Sequence, residues 1–154
     1  MISIFNLTQH AASEYQKKAG VVELPGWHEG AKSVLNFNMA TPRKEKVARA
    51  KAVVGLVKAA GAKAVMIGGK ASFVAILSEE LAKAGILPLE AFTRRDVEEV
   101  EQEDGSVKKV AVFRHEGWDI FLPSWWANTS QIDFQAYHGL KETAKALGLE
   151  DYLQ

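Results

Sequence analysis

The chain of 154 residues has no cysteine, so no disulfide or thiolate-held metal can brace it, and the surrounding redox state has no direct hold on its stability. It has no stretch close to the roughly 20 apolar residues that a helix needs to cross a bilayer. Its opening, MISIFNLTQH, lacks a basic leader, an apolar run of secretory length and a small-residue cleavage pattern. A cytoplasmic protein with no membrane partner is the expectation. Net charge is also missing, since 19 basic residues balance 19 acidic ones. A general grip on DNA or RNA relies on a basic surface that neutralises phosphates, so bulk nucleic acid is not an expected partner.

Several catalytic signatures are absent as well. There is no GxxxxGK[ST] loop, no GxGxxG turn and no GxSxG elbow. His28, His115 and His138 are scattered, no HxxxH or HxH occurs, and no carboxylate pair follows a predicted parallel strand. No cofactor and no metal are therefore expected, and any reaction would be metal-independent.

What remains is ordinary globular material, 47% apolar and 25% charged, long enough for one core. Ile2 to Phe5 reads as a buried first strand. Ser13 and Gln16 form a capping-box pair for a short helix ending at Gly20, and Val21 to Leu24 reads as extended. The segment from Pro25 to Asn38 follows no clean period. Thr41 and Pro42 predict a helix start. Val47, Ala50, Val54 and Val57 recur at helical spacing up to Gly61. Ala64 to Ile67 predicts a strand running into Gly68 and Gly69. Ser72 then caps a helix whose stripe is Phe73, Ile76, Leu77 and Leu81, closed by Gly85. Leu89 to Phe92 reads as the third strand.

Strands that alternate with helices imply parallel pairing. Val97 to Glu101 and Val107 to Phe113 flank Asp104-Gly105, a hairpin signal. Ser130 and Asp133 pair as caps for a last helix with Ile132, Ala136, Leu140, Ala144 and Leu147 inward. The reading is an α/β chain forming a single Rossmann-like domain over 1–154. Three parallel strands are extended by an antiparallel β-hairpin, with helices on the faces and a C-terminal helix. Residues 1–117 form the core, and 118–154 form an aromatic segment plus that helix.

In such sheets ligands bind beyond the carboxyl ends of the strands. Three polar clusters fall there: Asn6, Thr8, Gln9 and His10 after the first strand; Gly68, Gly69, Lys70 and Ser72 after the second; Thr93, Arg94 and Arg95 after the third. The glycine pair lets backbone approach an anion, the following helix offers its positive end, and Lys70 adds a charge. The same pair could serve only a turn. A guanidinium of Arg94 or Arg95 could fork onto phosphate, or could simply pair with Asp96 or a nearby glutamate. His10 is of the side-chain type best suited to proton transfer near neutrality, and it could equally be a structural cap. Asn6 and Thr8 could bind a ligand or satisfy the turn.

The charges are segregated. Seven Lys or Arg lie between Pro42 and Lys63 against Glu45 alone, and six carboxylates lie from Asp96 to Asp104. They read as a basic rim for an anion or as two solvated faces. Trp118, Phe121, Trp125, Trp126, Phe134 and Tyr137 could stack on bases or a partner, or could cover the sheet as core.

The strings N-L-T-x-H, A-G-V-V-E-L, M-I-G-G, I-L-P-L-E-A-F-T-R-R and D-G-S-V-K-K-V-A-V-F-R-H, between residues 2 and 115, resemble a group of short phage and bacterial proteins. The strand ending N-L-T-x-H is also similar to small CRISPR-associated Rossmann-like proteins that recognise cyclic oligoadenylates, ring nucleases among them. That resemblance implies a cyclic-nucleotide ligand and a homodimer with the ligand across the two-fold. It carries Asn6, Thr8 and His10 onto the first-strand motif, Gly68 and Gly69 onto the glycine turn, and Arg95 onto the arginine after the third strand. Residues after Trp118 depart from that form.

Three readings follow. The first is a module that binds a small phosphate-bearing ligand, such as a cyclic oligonucleotide. The second is a metal-independent phosphodiesterase using His10 and Lys70, with Arg95 steadying charge. The third is a protein-interaction domain that works through its Trp-rich tail.

Overall fold

The structure, a computed structural model, describes residues 2–37, 40–128 and 130–153, with the side chain of Lys32 left out. Its centre is a five-stranded sheet. The strands are β1 (Ile4–Asn6), β2 (Val21–Glu23), β3 (Ala64–Met66), β4 (Leu87–Glu101) and β5 (Val107–Ile120). They stand in the order β2-β1-β3-β4-β5. The first four are mutually parallel, and β5 alone runs antiparallel to β4. The helices are α1 (Glu14–Lys18), α2 (Trp27–Leu35), α3 (Arg43–Ala59), α4 (Ala71–Lys83) and α5 (Phe134–Ala146), with a 3-10 turn at Glu150–Leu153. No helix among the described residues is long and apolar enough to cross a membrane.

The short inner strands are apolar on both sides because both faces are covered. On one face Phe5, Val65 and Ile67 meet α2, α3 and α4 through Trp27, Ala31, Leu35, Ala50, Val53, Val57, Phe73 and Leu77. On the other, Ile4, Ala64, Met66, Leu87 and Leu89 meet Ile132, Ala136, Leu140 and Ala144 of the α5 segment. Phe73, Leu77, Leu81 and Leu140 are wholly buried. Each contributes roughly 1.5–3 kcal/mol relative to an exposed position.

Three expectations need correction. Val21–Glu23 joins the sheet as a fourth parallel strand, at the edge beside β1. Leu89 to Phe92 and Val97 to Glu101 are not separate elements, because Thr93, Arg94 and Arg95 lie inside one continuous β4. Past a bulge at Phe92/Thr93 this strand leaves the core and pairs only with β5. Such a solvated ribbon has no buried face to impose alternation, so charged residues are accommodated in it. The third correction concerns caps. The N-cap positions of α3, α4 and α5 are Pro42, Lys70 and Asp133 rather than Thr41, Ser72 and Ser130. Of these three, only Asp133 caps with its side chain, accepting from the Ala136 N–H at 2.7 Å. The Ser13–Gln16 capping box is present as expected, and the unassigned stretch after Pro25 contains α2.

Candidate ligand-binding cleft

The chain leaves β1 towards β2 on one side and leaves β3 towards β4 on the other. Loops that diverge in this way open a crevice between the two strand ends. A cleft of about 360 Å³ lies there, lined by Thr8, Gln9, His10, Ala11, Gln16, Met66, Ile67, Gly68, Gly69, Glu90 and Ala91. The loop after β1 and the glycine turn after β3, 60 residues apart in the chain, form its two walls.

The first wall is built on Asn6, which is fully buried. Its amide donates to the His10 carbonyl at 2.7 Å and towards both Glu23 oxygens at 3.3 Å. Its side-chain oxygen accepts from the Thr8 N–H at 2.9 Å and the Thr8 hydroxyl at 2.7 Å. Asn6 therefore sits beneath the cleft and shapes the loop, while Thr8, Gln9 and His10 line it. Two further groups pin this loop. The Trp27 indole N–H donates to the Thr8 carbonyl at 2.9 Å, and Glu23 accepts from the Ala12 N–H at 2.7 Å. His28 Nε2 lies 2.5 Å from the same carboxylate. Burial alone would raise the Glu23 pKa, but the Ala12, His28 and Asn6 hydrogen bonds outweigh it and hold the carboxyl below its usual range.

The second wall is Gly68-Gly69. A Cβ on Gly68 would stand 3.3 Å from the Thr8 methyl, so glycine lets the two walls touch. Gly69 has φ +130, a region that favours glycine. α4 begins directly after this turn with no side-chain cap and no acidic residue in its first turn. Its free N–H groups and positive end are thus unopposed by a carboxylate of its own first turn.

The other expected residues lie elsewhere. Lys70 and Ser72 follow the glycine turn but do not line the cleft. The Lys70 ammonium reaches the Phe37 carbonyl at 3.5 Å, and Ser72 is exposed. Arg94 and Arg95 stand on the β4–β5 ribbon. Arg94 is taken up by Asp96 at 3.0 Å and Glu116 at 2.8 Å, the surface pairing that competed with a ligand role. Arg95 is exposed and joins no ion pair among the described residues. The ribbon is tied back to α1, whose Tyr15 hydroxyl accepts from Arg114 at 2.8 Å.

Gln16 and Glu90 are cleft residues that sequence reasoning missed. Gln16 was accounted for by its cap, in which its side-chain oxygen accepts from the Ser13 N–H at 3.0 Å, and Glu90 looked like a strand residue. Glu23, Trp27 and His28 were missed as loop supports, although the glutamate ending V-V-E at a strand terminus was a visible signal. The aromatic tail packs largely as core. Trp118, Trp125, Trp126 and Tyr137 lie against the α5-side cluster, and Phe121 lies against the opposite one. Phe134 remains exposed.

No match to this chain was found among curated proteins or among solved structures. One family model, described as the Uncharacterized protein MJ1673 family, matches residues 2–119, a span that takes in all five strands and both walls of the cleft, save the last residue of β5. The chain belongs to the MJ1673 family.

Proposed function

We propose that the cleft binds a small phosphate-bearing ligand, a cyclic oligonucleotide signal being the best candidate. The observation that carries this is the meeting of Thr8-Gln9-His10 with Gly68-Gly69 in the crevice where the strand order reverses. A Rossmann-like reading of the fold gives that crevice its usual use. The anion would lie against the glycine turn and the open start of α4, where backbone N–H groups supply the charge complement that no lining Lys or Arg provides. Gln16 has its oxygen engaged, so its amide N–H groups are left to donate. Glu90 would repel phosphate and suits a donor instead, such as a ribose hydroxyl or an exocyclic amine. The cleft lies near the lower end of ligand-site volumes. One nucleotide unit would fill it, and the rest of a ring would lie outside. The resemblance to CRISPR-associated cyclic-oligoadenylate binders supplies the particular ligand.

A second reading, metal-independent cleavage of that ligand, is favoured by the exposed His10 on the cleft wall. His10 would take the proton of a ribose 2′-hydroxyl as its oxygen attacks the adjacent phosphorus in line. The 5′-oxygen would leave and be protonated, giving a 2′,3′-cyclic phosphate and a 5′-hydroxyl. The backbone N–H groups of the glycine turn would offset the developing charge, and Lys70, directly after Gly69, would add to this only by turning in from the Phe37 carbonyl.

The test is incubation with cyclic tetra- and hexa-adenylate in chelator, followed by chromatography and a thermal-shift measurement. Co-eluting intact ring with a raised Tm is the expected result, and Gly69→Val should abolish it. Linear or cyclic-phosphate products lost in His10→Ala would establish the second reading. No retention and no shift would remove both.

A further inference from the structure

We infer that the β4–β5 ribbon is a self-association surface, its occupant being the same ribbon of a second copy of this chain. Beyond Phe92 the two strands have no other strand beside them. Over ten residues at about 3.4 Å each they run about 30 Å from the body. Paired residues share a face. On one face Arg94, Asp96, Glu98 and Arg114 form a closed ion-pair network, braced by Tyr15. Although Val100 and Val110 on it are 44% and 36% exposed, that face is satisfied in its arginine charges within the chain.

The opposite face is not. It carries the pairs Arg95↔Phe113, Val97↔Ala111, Glu99↔Lys109 and Glu101↔Val107. Val97 is 62% exposed, Phe113 60% and Val107 59%. Three large apolar side chains on a rigid hairpin, standing clear of the core, are unusual on a chain that leaves them wet. Arg95 and Glu99 take part in no ion pair among the described residues.

The arrangement is complementary to itself. Lay two such faces together about a two-fold axis that lies in the interface, across the strands, at Val97–Ala111. Val97 then meets its own counterpart, Arg95 meets the partner's Glu99, and Phe113 meets the partner's Lys109, a cation over a ring. The two bodies lie at opposite ends, clear of each other. Edge-to-edge pairing of β5 with its copy is the poorer alternative. Centred on Ala111, it would set Lys108 against the partner's Arg114, which like charge opposes. A contact of ribbon length lies at the small end of specific interfaces, so association in the micromolar range is expected.

Sedimentation and light scattering of the full chain over about 1–300 μM provide the test. A concentration-dependent rise from 16.9 kDa towards twice that mass is expected. Val97→Ser with Phe113→Ser should give a monomer of unchanged far-UV circular dichroism. Arg95→Glu should weaken the dimer tenfold or more by setting carboxylates together, and Arg95→Glu with Glu99→Arg should restore it. A monomer throughout the range overturns the inference, and so does a dimer indifferent to the Arg95 reversal.

Discussion

Asn6 joins the β1 terminus, the cleft loop and β2 through one amide. Asn6→Ala leaves the Thr8 N–H, the His10 carbonyl and part of Glu23 without their partner, at a cost of about 2–3 kcal/mol in urea unfolding. Asn6→Asp should be worse at pH 7, because a second carboxylate would then face Glu23, and part of the loss should return at pH 5. Glu23 itself gives a pH dependence. Its folded pKa lies below the ordinary 4.5. Its contribution is therefore complete above that value and fades as pH falls through the lowered one, a loss that Glu23→Gln should not show. His115 behaves in parallel. Burial lowers its pKa, and its Nδ1 has no partner among the described residues. Below 6.5 the unfolded chain takes up the proton first, so stability should decline as pH falls from 6.5. His115→Phe, still able to pack on Trp118, should flatten that slope in melting curves at pH 5 and 7.

At the level of elements, the turn from α4 to β4 presses on α5. Gly85 has φ +74, and a Cβ there would stand 3.1 Å from Ala136 Cα. Gly85→Ala should cost about 1–3 kcal/mol, read as a fall of roughly 2–4 °C in Tm for each kcal/mol. Elements with an unbroken apolar stripe or a cap pair were the legible ones. The stripe Phe73, Ile76, Leu77 and Leu81 marked α4, and Ser13 with Gln16 marked the start of α1. α2 escaped because glycine, histidine and charge interrupt it, although Trp27, Ala31 and Leu35 recur every four residues on its buried side. The outer ribbon was legible from Asp104-Gly105 between Val97 to Glu101 and Val107 to Phe113, whereas its inner part escaped because neither face there meets the core, so a run such as Thr93-Arg94-Arg95 resembles a loop in composition. The cleft was half legible. Glycines and polar residues at strand ends announce loops, whereas Gln16 and Glu90 become cleft residues only through the placement of α1 and the direction of β4.

Taken whole, the molecule is a sheet between two apolar layers that come from different parts of the chain. The layer of α2, α3 and α4 lies within the family match, and α5 lies beyond residue 119. A chain cut to 2–119 would leave Ile4, Ala64, Leu87 and Leu89 without their cover. It should bind a hydrophobic dye and lose cooperative melting. The same division bears on synthesis. A growing polypeptide can assemble β1 to β4 and their helices early, yet one side of that sheet stays sticky until residues 134–146 have left the ribosome. Folding of the nascent chain therefore cannot finish before then, and until that moment the exposed side is a natural substrate for a holding chaperone.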